Sequence, residues 1–272
     1  MIFKRVMLEG EDATAYLDVY VADPTEKFVR NAILVIPGGG YSNVCSEREG
    51  EPIAMAFMPH GYNAFVLHYS VAGNSKAVFP RQLIQASKAI KHIKEHAEEY
   101  HIDAEKVFAV GFSAGGHLCG SLATMWHRQD VCDAVNIPYG YNKPAGVILV
   151  YPVVTGTLPT HGASFRNLVG AEEPTAEQIA ECSLELHVDE RSCPAFIVHT
   201  ANDQLVPVRN SLVLAEAYAA AGQMFELHVY PDGPHGMALS NPITSHESRA
   251  LEDPCFAKWV EQAAAWAKRI DG

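Results

Sequence analysis

The chain has 272 residues, 48% of them apolar, and a formal charge of −12. That length supports one sizeable core, so residues 1–272 read as a single domain. An acidic chain with no Lys/Arg cluster suits neither nucleic acid nor an anionic membrane surface. The opening Met1-Ile-Phe-Lys-Arg-Val-Met-Leu-Glu-Gly lacks both the apolar stretch and the small-residue cleavage site of a signal peptide, and no apolar run is longer than a strand. The expectation is a cytoplasmic protein that does not cross a membrane. A homo-oligomer stays open.

In chain order the pattern alternates strands and helices. Tyr16–Val21 and Ala32–Ile36 read as strands. A helix from about Pro52 to His60 stops at Gly61, and Ala64–Leu67 is the next strand. Leu83, Ala86, Ile90, Ile93 and Ala97 form one apolar stripe on a helix from about Pro80 to Tyr100. The strand Val107–Val110 runs into a helix from Ala114 to about Trp126. Gly146–Val150 follows. The segment 152–192 is rich in Pro and Gly, with one short helix announced by the capping box Thr175-x-x-Gln178. Phe196–His199 is a strand, Ser211–Ala221 a helix stopped by Gly222, Phe225–Tyr230 a strand, and roughly Pro254 to Ile270 the last helix. The later strands are continuously apolar, as in a parallel sheet covered on both faces. The fold class is therefore α/β, a mostly parallel central sheet with helices on both faces and sites at the strand C-terminal edge.

The chemistry starts at Val107-Phe-Ala-Val-Gly111-Phe-Ser113-Ala-Gly115-Gly-His117. An apolar strand enters Gly-x-Ser-x-Gly and leaves as a helix, the context of a nucleophile elbow. The bland alternative is a tight turn with an idle serine. A serine hydroxyl needs a base, and the base an orienting carboxylate. Asp203 lies just past a strand C-terminus. Its rivals are weaker: Asp189 precedes the strand, and Asp232 is too close in sequence to the candidate histidine. Of thirteen histidines, His235 is set apart by its Gly/Pro-rich loop after a strand and by following Asp203. His228 lies within a strand, and His117 within the elbow helix.

A negative tetrahedral intermediate needs preorganised donors. The strand ending Pro37-Gly38-Gly39-Gly40-Tyr41 offers backbone N–H groups, so the expected oxyanion hole is Ala114 N–H with Gly39 or Gly40. A phosphate loop is disfavoured, because no Gly-x-Gly-x-x-Gly or Lys-Ser/Thr follows. The six cysteines match no zinc spacing, and no metal or organic cofactor is signalled. Without a secretion signal they read as free thiols, and Cys45, near the glycine loop, as inert rather than reactive.

Together, Pro37-Gly-Gly-Gly-Tyr, Gly-Phe-Ser-Ala-Gly-Gly-His, the Asp203 loop and Gly-Pro-His235-Gly resemble the α/β-hydrolase esterases. The nearest flavour is that of the acetyl-xylan-esterase-like and carbohydrate-esterase-like bacterial proteins, and the likeness runs from about Ala15 to Ile270. Pro37 stands where related lipases usually carry histidine, and there is no room for a helical N-terminal cap. A reduced cap implies an open site, suited to small acyl groups on bulky polar alcohols. The resemblance implies a serine esterase releasing short acyl groups, acetyl first, from small-molecule or oligosaccharide esters such as acetylated sugars and xylo-oligosaccharides. An arylformamidase or peptidase on the same three residues is the alternative, and a non-catalytic binding protein of the same fold is a third reading. Expected substrate contacts are Tyr41, Ser42, Asn43 and His161, with His161 and Phe165 either shaping the site wall or anchoring their loop to the core. Arg48, in Ser46-Glu-Arg-Glu-Gly-Glu51, reads as part of a solvated helix start with a local ion pair.

Overall fold

A computed structural model describes residues 1–8, 15–25, 28–73, 77–157 and 162–270. Eight strands form one sheet: β1 (Ile2–Met7), β2 (Tyr16–Val21), β3 (Arg30–Ile36), β4 (Tyr62–His68), β5 (Ile102–Phe112), β6 (Val147–Val150), β7 (Ala195–Thr200) and β8 (Phe225–Tyr230). Their order is β1-β2-β4-β3-β5-β6-β7-β8. β2 runs antiparallel to β1 and β4, and all other neighbours are parallel.

The strand interiors explain the architecture. β3, β6 and β7 are Val/Ile/Leu/Ala/Phe-rich and buried over nearly their whole length, so both faces must be covered. One face packs under the helices Arg81–Glu95, Ser113–Met125 and Arg209–Ala220, through Leu83, Ile90, Leu118, Leu122, Leu214 and Tyr218. The other packs under Glu51–Phe57 and Trp259–Ile270, through Ile53, Phe57, Trp259, Ala263 and Trp266.

The expected elements are present with shifted ends. Strand β1 was not anticipated. It is an edge strand on which exposed and half-buried residues alternate, so it carries no continuous apolar signal. The helix expected over 80–100 ends at Glu95, and a turn at His101 (φ 50°) leads into β5. Segment 152–192 holds the expected capping-box helix, Ala176–Cys182, and an unanticipated one, Gly162–Val169.

Parallel order stacks the C-terminal ends of β3, β5, β6, β7 and β8 along one edge. Ile36 pairs with Gly111, so the chain leaving β3 lies directly beside the chain leaving β5.

Candidate active site

Ser113 follows β5 with φ 53°, in the left-handed region that disfavours a side chain. The turn needs close backbone approach. A Cβ on Gly115 would lie 2.2 Å from the Ile36 carbonyl oxygen and 2.3 Å from that of Pro37. Only glycine lets the elbow helix start against the end of β3.

Three side chains from three strand ends meet here. The Ser113 hydroxyl donates to His235 Nε2 at 2.8 Å. His235 Nδ1–H donates to Asp203 Oδ2 at 2.6 Å, the carboxylate fixing the tautomer because it can only accept. The other oxygen, Oδ1, accepts the N–H groups of Leu205 and Val206, both at 2.9 Å. Burial would raise the Asp203 carboxyl, but bonds from His199, His235 and Val206 hold it well below the usual carboxylate range. His199 is a partner that sequence reasoning passed over. It is fully buried at the end of β7, its Nε2 2.9 Å from the Val206 carbonyl and 3.3 Å from Asp203 Oδ2. Its spacing of four residues before Asp203 was the available signal.

The glycine loop after β3 borders the same space. Gly39 has φ 126° and Gly40 φ 62°. Among the described residues neither N–H has an acceptor, whereas Gly38 N–H is bound to Glu49 Oε2 at 2.8 Å. Ala114 N–H lies in the first turn of the elbow helix, where helical N–H groups lack intrahelical partners. Asn167 Nδ2 holds the Gly40 carbonyl at 2.8 Å. A cavity of about 400 Å³ joins these groups, lined by Gly39, Gly40, Ser42, Ser113, Asn167 and His235 among others, with Ala163 and Asn167 arriving from segment 152–192.

Two expected contacts differ. Tyr41 is 1% exposed and points away from the cavity: it takes up φ 58°, and its hydroxyl bonds His117 Nδ1 at 2.8 Å. Since His117 Nε2–H donates to the Cys182 carbonyl, Tyr41 must donate to Nδ1. Burial pushes His117 down to about 4, so it stays a neutral packing histidine. Asn43 is exposed beside Cys45 and is not among the cavity-lining residues. Ser42 does line the cavity. His161 lies outside the described residues. Phe165 is buried edge-on to His117, an anchor rather than a wall.

Arg48 and Glu49 also depart from expectation. They are not a solvated ion pair. Glu49 is 3% exposed, and Arg48 donates to the Gly236 carbonyl at 2.6 Å, its nearest approach to Glu49 being 3.9 Å. Both line the cavity.

All six cysteines are free, and burial beside Glu49 raises the Cys45 thiol rather than activating it. Among the described residues no group of three or more His, Cys, Asp or Glu side chains could hold a metal ion, and no helix is long and apolar enough to cross a membrane.

The chain is 43% identical over 215 residues to the endo-1,4-beta-xylanase B of Butyrivibrio fibrisolvens, covering 78% of this chain and 33% of that protein. It is 28% identical over 238 residues to the acetylxylan esterase of Xylanibacter ruminicola, covering 86% and 46%. The chain thus spans between a third and a half of the length of these two relatives. Its fold superposes on the acetyl ester-xyloside bifunctional hydrolase of Caldicellulosiruptor lactoaceticus with TM-score 0.82 and 28% identity, covering 98% of this chain and 96% of that one. Residues 17–218 match the BD-FAE family. With an α/β-hydrolase sheet, a serine at its elbow and this match over most of its length, the chain belongs to the BD-FAE family.

Proposed function

We propose that this chain is a serine ester hydrolase releasing short acyl groups, acetyl first, from sugars or xylo-oligosaccharides. The observation that carries the reading is the unbroken relay Ser113–His235–Asp203, at 2.8 and 2.6 Å, beside glycine N–H groups that have no acceptor among the described residues. Ser113 Oγ attacks the ester carbonyl while His235 Nε2 takes its proton. The developing oxyanion accepts from Ala114 N–H and from Gly39 or Gly40 N–H. His235 then protonates the leaving alcohol and afterwards activates the water that frees Ser113. Asp203 holds Nδ1–H and stabilises the imidazolium. The cavity supports the substrate class. Its lining sets Arg48, Glu47, Ser42 and Asn167, which can bond a polar alcohol, beside a small apolar wall of Leu205 and Ala163 that can receive a short acyl group. The Xylanibacter relative is named an acetylxylan esterase and the Caldicellulosiruptor one an acetyl ester-xyloside bifunctional hydrolase, which supports an acetyl ester as the substrate.

The test is kcat/KM across p-nitrophenyl esters from acetate to decanoate, with Ser113→Ala as the blank, followed by acetylated xylo-oligosaccharides. A steep acetate preference that vanishes in the variant is expected. A maximum at long chains refutes the short-acyl assignment, and turnover that survives in the variant refutes Ser113 as nucleophile.

A further inference from the structure

A buried carboxylate that the proposed chemistry does not consume lies between the two loops that the chemistry needs. Glu49 Oε2 accepts the Gly38 N–H at 2.8 Å, one residue before the oxyanion glycines. Its Oε1 accepts the Tyr151 hydroxyl at 2.9 Å, across 102 residues of sequence. The same hydroxyl oxygen accepts the Ala238 N–H at 2.9 Å, three residues after His235. The Tyr151 ring also packs edge-on against the His235 ring, with centroids 5.0 Å apart. The neighbouring Arg48 ties the Gly236 carbonyl from the same turn of chain.

Burial pushes the Glu49 carboxyl up, while the Gly38 and Tyr151 donors, Arg48 and His235 oppose that rise. Burial, with Glu49 beside it, pushes the Tyr151 hydroxyl well above its ordinary range, so it remains a donor. The donors on both carboxylate oxygens match the ionised form. For packing alone an apolar side chain would fill this space without desolvating a charge. The carboxylate is instead spent on joining two loops that share no backbone hydrogen bond with each other among the described residues.

We propose that Glu49 is a positioning residue for the ester-cleaving site. Its carboxylate sets the spacing between the glycine loop, held at Gly38, and the histidine loop, held through Tyr151 at Ala238. The inference rests on the hydrolase reading above. It has a specific chemical signature. Glutamine keeps the shape of glutamate but turns one acceptor into a donor. An amide NH₂ facing Gly38 N–H would set donor against donor; turned the other way it would donate to the Tyr151 oxygen, which already accepts Ala238 N–H, and the phenol proton would lose its carboxylate acceptor, so either orientation breaks the link. Displacing reacting groups by a fraction of an ångström to an ångström lowers kcat rather than substrate affinity.

The experiment compares wild type, Glu49→Gln, Tyr151→Phe and the double variant in two assays. One is p-nitrophenyl acetate hydrolysis; the other is the rate of covalent labelling by a fluorophosphonate, which needs Ser113, the base and the oxyanion donors but no particular natural substrate. Expected is a loss of kcat and of maximal labelling rate on the order of 10- to 100-fold in each single variant, with KM within about threefold. The double variant should be no slower than the worse single, because both break one path. Tyr151→Phe keeps the aromatic ring, so it carries the test if Glu49→Gln does not fold. Single variants within threefold of wild type, losses confined to KM, or multiplicative losses in the double variant overturn the proposal. A wild type that labels but does not cleave esters refutes the ester reading and leaves the labelling rates to judge Glu49. A wild type that does neither overturns both.

Discussion

Asp203→Asn is the substitution whose outcome the structure fixes most tightly. Oδ1 of Asp203 accepts two backbone N–H groups, from Leu205 and Val206, both at 2.9 Å. An asparagine must therefore keep its carbonyl oxygen at that position, which forces its NH₂ to the Oδ2 position, 2.6 Å from His235 Nδ1. The NH₂ then donates to Nδ1, so the imidazole proton moves to Nε2 and points at Ser113 Oγ. A base in that tautomer cannot accept the serine proton, and the rate loss expected is on the order of 10⁴ in kcat, about 5.5 kcal/mol of barrier. The fold should survive, because the two backbone bonds survive. KM should change little, since Asp203 is buried and absent from the cavity lining. The assay is steady-state hydrolysis of p-nitrophenyl acetate near neutral pH, with circular dichroism and a thermal melt as folding controls. A folded variant keeping kcat within about tenfold of wild type would refute the tautomer argument and the assignment of Asp203. In wild type the carboxyl, held below its ordinary range, stabilises the fold at pH above that range and ceases to do so as acid protonates it, so it does not set the acid limb of the rate profile.

Two glycines should behave oppositely. Gly115→Ala drives a Cβ into the Ile36 and Pro37 carbonyls, so denaturant melts should show a loss of about 3 kcal/mol together with loss of turnover. Gly222→Ala meets nothing within 4 Å but has φ 67°, so it should cost about 1 kcal/mol and leave kcat unchanged. His117 gives a pH signature. Its folded value near 4 lies below the ordinary 6.5, so the unfolded chain binds the extra proton between them, and stability present above 6.5 drains away as pH falls towards 4. Between pH 6.5 and 5 that amounts to about 2 kcal/mol, and urea melts of Tyr41→Phe/His117→Leu should show a correspondingly flatter decline.

The parts legible in the sequence are those with local causes. β2 and β8 run over Tyr16–Val21 and Phe225–Tyr230, as their residues suggest. Ser113, Asp203 and His235 could be picked out because each follows an apolar run that ends in a loop, and parallel strands deliver such loops to one edge. What could not be read came from contacts distant in sequence. Nothing local distinguishes Glu49 from its exposed neighbour Glu47; its burial is created by Gly38 on one side and by Tyr151, 102 positions away, on the other. Tyr41 adjoins the glycines proposed for the oxyanion hole, yet its left-handed backbone turns the ring into the core against Tyr69 and His117. The helix after Pro80 stops short of its apolar stripe because Tyr100 folds back to bond His92 and pack on Phe65, a tertiary reward that outweighs helical periodicity.

The relay joins Ser113 to a histidine 122 residues later, whose loop is held by the Trp259 indole N–H on the Ala238 carbonyl. During synthesis the elbow, the glycine loop and Tyr151 all emerge well before the strand that brings the proposed base. A growing chain can therefore complete most of its sheet while still chemically silent. On the proposed assignment, competence requires the last strand and the tryptophan helix to dock. Turnover is thus a more demanding reporter of finished folding than secondary structure content, and in refolding it should be the last signal to recover.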